Sequence, residues 1–491
     1  MPVQKSIGTF LMTWLSPLVW FNEGTQTRGR WLHMKAKTWS ALFNRQGFEV
    51  AEVKNGVFDC KSESAENIEF LLESLDNGKI AYRYHSFILS IESAPITEGE
   101  WLKLVDFENR GHAGFYFRAD CEIPRVFELD THISGIVRQL NRLGLYTNGS
   151  CDGHGTRHAL VMIKRDEDVE TSKNVLLAAG INRIVTRGRN MRLLITERAQ
   201  LLDVAEKLQL IEKGWLKEGS SYIREQFFYH SLEELLSIDG ESGNEEGVRS
   251  YVLDQLRDVV DHVTVDQYGN ILAQKTYRNG NGPTMLLNAH LDTVESFIPG
   301  RVLQKDGAIW SSSEGILGAD DRAGVAVVLE MAKRLDASDF RGKVKFIFTV
   351  KEEVGLVGAR AVNEYFLWDV DAAIVVDRRG AGDIVTSCGG QIPFCHEAYG
   401  EFIEGVAMSQ GLQGWKTTSG GSSDTRIWAE HGIHSVYLSA GYQNEHTDME
   451  TLDVTASYRT LNLLEGVFAQ GRELQRIVNR LRRLNRRARA I

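Results

Sequence analysis

TMLLNAHLD, residues 284–292, runs a short apolar stretch straight into an imidazole and a carboxylate, and the same construction recurs three times downstream. VKFIFTV at 344–350 leads into Lys351-Glu352-Glu353, AAIVV at 372–376 into Asp377, and SVYL at 435–438 through Gly441 to Asn444-Glu445-His446. Apolar runs of this length, with little polar alternation, fit sheet-centre strands covered on both faces. Helical patterns are expected between them over 322–335 and 358–365. The resulting β/α order predicts an α/β fold with a mixed, mainly parallel sheet sandwiched by helices. Open sheets of this kind hold ligands beyond the carboxyl ends of their strands, which is where these His, Asp and Glu residues stand.

A further segment, GADDRAG at 318–324, sets Asp320 and Asp321 at the mouth of an apolar helix. Alone, such a pair reads as an N-cap with favourable helix-dipole charge. A merely solvated face, however, gives no reason to place acids directly after the apolar strands of one sheet, so convergence in a cleft is the stronger account. Carboxylates gathered in a cleft repel one another and are driven to protonate unless a cation sits among them. Oxygen-rich donors with two imidazoles and no nearby thiolate suit a hydrolytic zinc, cobalt or manganese site rather than a structural zinc knuckle.

Working outward, Gly214-Trp-Leu-Lys-Glu-Gly219-Ser-Ser221 reads as a turn-rich connector, with a seam near 214–227. Beyond it a helix at 231–236, a turn at 239–244, a helix over 245–259 and a hairpin from 263–266 and 270–275 are expected. Ahead of it lie strand-like runs at 80–91, 158–163 and 191–196 and helical patterns over 132–143 and 199–213. Ile133, Ile136, Val137, Leu140 and Leu143 recur at the spacing of a buried helical stripe. The expected division is therefore an α+β domain of unknown function at 1–225 and a catalytic domain at 226–491.

Composition narrows the class. The 491 residues are 43% hydrophobic and 25% charged, which excludes disordered, collagenous and coiled-coil architectures. Net charge is −10, of which the last twenty residues contribute +7, leaving −17 on the rest. Away from that end no basic stripe exists, so no dedicated nucleic-acid surface is expected. Leu474, Ile477, Val478, Leu481 and Leu484 predict an amphipathic C-terminal helix, read as packed on the acidic body with a frayed basic end. Five cysteines without a CxxC pair fit a reducing compartment, and a cytoplasmic location is expected. The apolar run at 10–21 is too short to span a bilayer and is broken by Pro17, so no membrane span is expected. Met34 begins a plausible globular stretch, and the sequence leaves open whether residues 1–33 belong to the fold.

The ordered series HLD, GADDRAG, KEEVGLVG, VVDRRG, GGSSD and NEHTDMET resembles the co-catalytic di-zinc peptidase superfamily that includes peptidase T, carboxypeptidase G and the bacterial leucyl aminopeptidases. The resemblance covers roughly residues 228–470. It implies that His290 and Asp377 ligate one metal, that Glu353 and His446 ligate the other, and that Asp320 bridges both. It implies two divalent ions, zinc foremost with cobalt or manganese as alternatives. Asp292 would accept the other ring N–H of His290 and fix its tautomer. Glu352 would be the general base, and the Asp320-Asp321 peptide would be cis. The implied activity is hydrolysis of an amide bond, foremost by an aminopeptidase or small-peptide peptidase. A deacylase of N-acyl amino acids and a dipeptidase are the alternatives, and a binding protein with a peptidase-like scaffold is the rival from another class. All seven core residues being present argues against that rival.

Only 69 positions separate Asp377 from His446, so the second domain that many relatives insert there is expected to be missing, with the N-terminal segment as a candidate lid. For substrate contacts, Gly421 and Arg426 could hold a carboxylate or a carbonyl oxygen, against the alternative of a helix-capping turn with a solvated Arg. Glu450 would grip a substrate ammonium or support His446. The loop 148–158 offers Cys151, His154 and His158 as possible metal donors, an incomplete set against which a glycine turn with a buried or reactive thiol is preferred. Oligomeric state stays open.

Overall fold

The computed structural model describes residues 38–106, 110 and 123–488, the side chains of 484–488 excepted. The run at 10–21, Met34, Cys121 and the Leu484 side chain lie outside the described residues.

Two apolar clusters occupy the chain ahead of residue 225. The first packs helices Trp39–Gln46, Ala65–Asn77 and Glu98–Val105 around Phe43, Phe58, Leu71 and Trp101, beside a four-stranded antiparallel sheet. The strand expected over 80–91 is a hairpin of Tyr82–His85 and Ile88–Ile91, because Ser86 and Phe87 take positive φ (50° and 64°) and reverse the chain. The second cluster sets helices Ser134–Arg142, Val169–Ala178 and Gln200–Leu210 against the antiparallel sheet of Thr147–Cys151, Ala159–Ile163, Asn190–Leu193 and Ile184–Arg187. The stripe of Ile133, Ile136, Val137, Leu140 and Leu143 is buried in that cluster.

The stretch read as a connector is largely helical. Trp215–Glu218 is a short helix, Gly219 (φ 88°) breaks it, and Ser220–Leu236 is one continuous helix in place of the short one expected at 231–236. Ile223 (1% exposed) belongs to the second cluster and Phe228 (0%) to the main core, so a single rod is anchored in both. Tertiary burial overrides the weak helix propensity of its glycine- and serine-rich start.

The main unit is built on nine strands. From one edge they run Ile392–Pro393, Asp383–Cys388, His434–Ser439, Ala372–Arg378, Thr284–His290, Gly342–Thr349, Ile271–Tyr277 and His262–Val265, with Lys416–Gly420 added parallel to Asp383–Cys388. The central four strands, from His434–Ser439 to Gly342–Thr349, are parallel, and the flanking pairs are antiparallel. Met285, Leu287 and Ala289 enter one core cluster and Leu286 another, and Phe346 and Phe348 alternate with Ile347 in the same way. Both faces are covered, which is why these strands read as apolar runs rather than alternating ones.

The apolar helix Ala319–Arg334 packs on the first of these faces. The helix expected over 358–365 is divided into Val357–Ala361 and Glu364–Leu367, restarted by the Asn363 side chain accepting the Tyr365 N–H. Residues between Asp377 and His446 supply four strands of the main sheet and the helices Glu397–Ser409 and Asp424–Glu430. The C-terminal helix Gly471–Ala488 buries Leu474, Val478 and Leu481, and Arg482 pairs with Asp371 at 2.5 Å. Among the described residues no helix is long and apolar enough to cross a membrane.

Candidate metal centre

Sheet register brings the first two donors together. Met285 pairs with Ala372 and Asn288 with Val375 in the parallel ladder; two further steps put His290 beside Asp377, on the same face because side chains alternate with period two. His290 Nε2 lies 3.5 Å from Asp377 Oδ1. Asp320 reaches them from the mouth of the helix Ala319–Arg334, where the backbone departs from helical angles at Asp320 (φ −80°, ψ 104°) and the Asp320-Asp321 peptide is cis, as expected. Asp320 Oδ1 is 3.1 Å from His290 Nε2 and its Oδ2 is 3.2 Å from His446 Nε2. His446 Nε2 in turn lies 2.9 Å from Glu353 Oε1. The donors of His290, Asp320 and Asp377 thus form one group and those of Asp320, Glu353 and His446 a second, each within 4.8 Å, with Asp320 common to both.

The residues behind the donors hold them in place. His290 Nδ1 faces the Asp292 carbonyl oxygen at 3.1 Å and its carboxylate Oδ1 at 3.4 Å, so the nearer acceptor is the main chain rather than the carboxylate expected. The Asp292 carboxylate is instead taken up by the turn after Gly342–Thr349. It accepts the N–H of Glu352 (2.9 Å) and of Glu353 (3.2 Å) and the Ser242 hydroxyl (2.6 Å). Lys351 (φ 54°) breaks strand alternation there. Glu353 is a donor, while Glu352 stands outside both donor groups. Asp321 accepts the backbone N–H of His290 (3.2 Å) and Gly324 (3.0 Å). Gly324 is required, since a Cβ there would come within 2.1 Å of the Val376 carbonyl oxygen.

Glu450 makes its hydrogen bonds to the main chain. It is 2% exposed and accepts the backbone N–H of Gly318 (2.7 Å) and Asp320 (3.0 Å), fixing the loop that presents Asp320. Sequence reasoning also missed Ser242 and Tyr442, whose hydroxyl donates to Asp377 Oδ1 at 3.1 Å. Arg426 pairs with Glu430 at 3.0 Å, and the Gly421 carbonyl accepts the Tyr437 hydroxyl at 3.2 Å.

The electrostatics are those of crowded acids. Burial pushes the Asp377 carboxyl up to about 7 against the pull of His290, with Asp320 and Asp424 adding to the rise. Burial pushes Glu352 up to about 10, again against His290, with Asp377, Asp424 and Glu353 contributing. Asp320 moves the other way: despite burial, His290 and His446 hold it below the usual carboxylate range. His446 is raised to about 10 by Asp320 and Glu353. Divalent positive charge among these groups favours every carboxylate in its ionised form. Oxygen and imidazole donors of this kind fit divalent metal ions.

Residues 270–469 match the family model of peptidase family M28. This segment is a peptidase M28 domain. A putative aminopeptidase of Acetivibrio thermocellus is 24% identical over 49% of this chain and 98% of its own length. The cytosol non-specific dipeptidase of Escherichia coli (strain K12) is 28% identical over 46% of each protein. The chain thus spans nearly all of the first relative and under half of the second. The crystal structure of aminopeptidase PepT from Bacillus cereus ATCC 10987 overlaps 50% of this chain and 98% of its own, at 19% identity and a TM-score of 0.44. The M28 domain makes the protein a metal-dependent peptide hydrolase.

Proposed function

We propose that the protein is an aminopeptidase that releases N-terminal residues from peptides, using two divalent ions, zinc foremost. The observation that carries this reading is the division of the Asp320 carboxylate, one oxygen toward His290 and the other toward His446. His290 and Asp377 would hold one ion, Glu353 and His446 the other, and Asp320 would bridge them. When bound, such a pair acidifies a shared water and polarises the scissile carbonyl. Asp292 keeps His290 oriented and, through the N–H groups of Glu352 and Glu353, fixes the turn that carries the general base. Glu352, beside the donors but not among them, takes the proton of the attacking water on its carboxylate and delivers it to the leaving amine nitrogen. Arg426 and Gly421 are the proposed substrate contacts; for Arg426 this requires exchanging Glu430 for a substrate carboxylate.

The separate apolar clusters support a division into an α+β domain at 1–225 and the catalytic domain at 226–491, joined through the helix Ser220–Leu236. Cys60, Cys151, Cys388 and Cys395 are free, in keeping with a reducing compartment such as the cytoplasm.

The test is Glu352→Gln, assayed for amine release from a mixed library of peptides and N-acyl amino acids, with metal content measured by plasma mass spectrometry. Free N-terminal residues should appear with wild type, and the variant should lose at least ~10²-fold in rate while keeping its metals. Release of acyl groups alone would move the function to deacylation. Full activity in the variant would remove Glu352 from the chemistry.

A further inference from the structure

Away from the peptidase site, three donors of different chemistry meet at the end of the strand Thr147–Cys151. The Asp130 carboxylate, the Cys151 thiol and the His154 imidazole each place one donor atom within 4.8 Å of the other two. His154 Nε2 lies 3.8 Å from Asp130 Oδ2, at the upper end of the ~3.3–3.8 Å edge of a tetrahedron whose bonds are ~2.0–2.3 Å long. The other ring nitrogen, Nδ1, stands 3.6 Å from Asp152 Oδ1. One imidazole nitrogen toward the donors and the second toward a supporting carboxylate is how a ligating histidine is held.

Asp152 is built to be that support. It is 1% exposed, accepts the His154 backbone N–H at 2.9 Å, pairs with Arg198 and lies 3.5 Å from His132 Nδ1. Asp130 is positioned by the Asp152 backbone N–H, which donates to its Oδ2 at 3.0 Å and leaves acceptor capacity on the carboxylate. The sequence pointed to His158 as the third donor of this loop. His158 is exposed and outside the cluster, and Asp130, 21 residues ahead of Cys151, takes its place.

We propose that Asp130, Cys151 and His154 bind one thiophilic divalent transition metal, zinc by preference, in a second metal site separate from the peptidase centre. Sulfur and imidazole with a single carboxylate oxygen select such an ion over calcium or magnesium. Three protein donors leave the fourth position to water or a small ligand, the pattern of reactive rather than purely structural zinc. A free nucleophilic thiolate is the competing use of Cys151. A bound cation would ionise the Cys151 thiol, the proton leaving to solvent.

The test uses full-length protein stripped with a chelator and titrated with cobalt(II). Donors at the peptidase centre are oxygen and nitrogen, so a near-ultraviolet thiolate-to-cobalt charge-transfer band reports the second site alone. Wild type should develop the band, zinc should bleach it, and Cys151→Ser should abolish it. His154→Ala, at a side chain 56% exposed, should weaken cobalt binding at this site at least tenfold. It should also carry one metal fewer per chain by plasma mass spectrometry, with peptidase activity unchanged. No band in wild type, or a band of equal strength in Cys151→Ser, would overturn the proposal. The band is expected whether or not the protein releases N-terminal residues, so failure of the aminopeptidase reading would leave this result standing.

Discussion

The two donor clusters reach similar chemistry by opposite routes. At the peptidase centre, His290 and Asp377 are brought together by the register of a parallel sheet whose faces are both buried, and Asp320, Glu353 and His446 reach them from a helix mouth and from turns beyond the strands. Behind the candidate donors stand Asp292, Asp321, Tyr442 and Glu450, each bonded to one of them or to the turn that carries one. At the Asp130 cluster, a tight turn brings Cys151 and His154 within three positions of each other, and only Asp130 arrives from elsewhere. His154 stands half in solvent. A sheet-built site is stiff and depends on each part, whereas a turn-built site tolerates movement and gives up a ligand at lower cost.

The sharpest way to break that comparison is Asp320→Asn. The substitution preserves shape but removes the charge that faces both imidazoles, so both donor groups weaken together. We expect kcat/KM to fall by at least ~10³-fold, corresponding to several kcal/mol of lost charge stabilisation, with metal content dropping in parallel. The sulfur-linked cobalt band of the second site should survive intact. A loss under tenfold with full metal loading would show that Asp320 is not shared.

What the sequence made legible follows from the same contrast. The central strands could be read because burial on both faces leaves nearly continuous apolar runs, and the candidate donors could be read because each stands at or just past the end of such a run. His290, Asp377 and Glu353 are of this kind. Ser242 left no signal: it comes from a turn fifty residues ahead of Asp292, and a hydroxyl in a Gly/Ser/Asn stretch reads as turn chemistry. Tyr442 reads as a core aromatic until its hydroxyl is seen on Asp377. The helix Ser220–Leu236 was hidden by Gly219 and two serines, whose local preference yields to the burial of Ile223 and Phe228. Asp130 was invisible beside Cys151 because only the tertiary fold brings it there, while His158 was a false lead offered by proximity in sequence.

A smaller effect tests how much the sheet-built site depends on its outer supports. Ser242→Ala deletes the hydroxyl that donates to Asp292 at 2.6 Å and leaves the two backbone N–H donors of Glu352 and Glu353 in place. A hydrogen bond to a charged group contributes about 1.5–3 kcal/mol when it stands alone, and supporting residues of metal sites typically change affinity ~10–100-fold. With two donors remaining, the expected loss lies near the lower end, about tenfold in metal affinity by chelator competition, and the rate at saturating metal should be nearly unchanged. If the rate falls as far as it does for Glu352→Gln, Ser242 is positioning the proposed general base rather than the proposed metal ligand. That outcome would place the critical function of Asp292 in the glutamate turn and not at His290, as the 3.1 Å contact of His290 Nδ1 with the Asp292 carbonyl oxygen, shorter than its 3.4 Å approach to the carboxylate, already suggests.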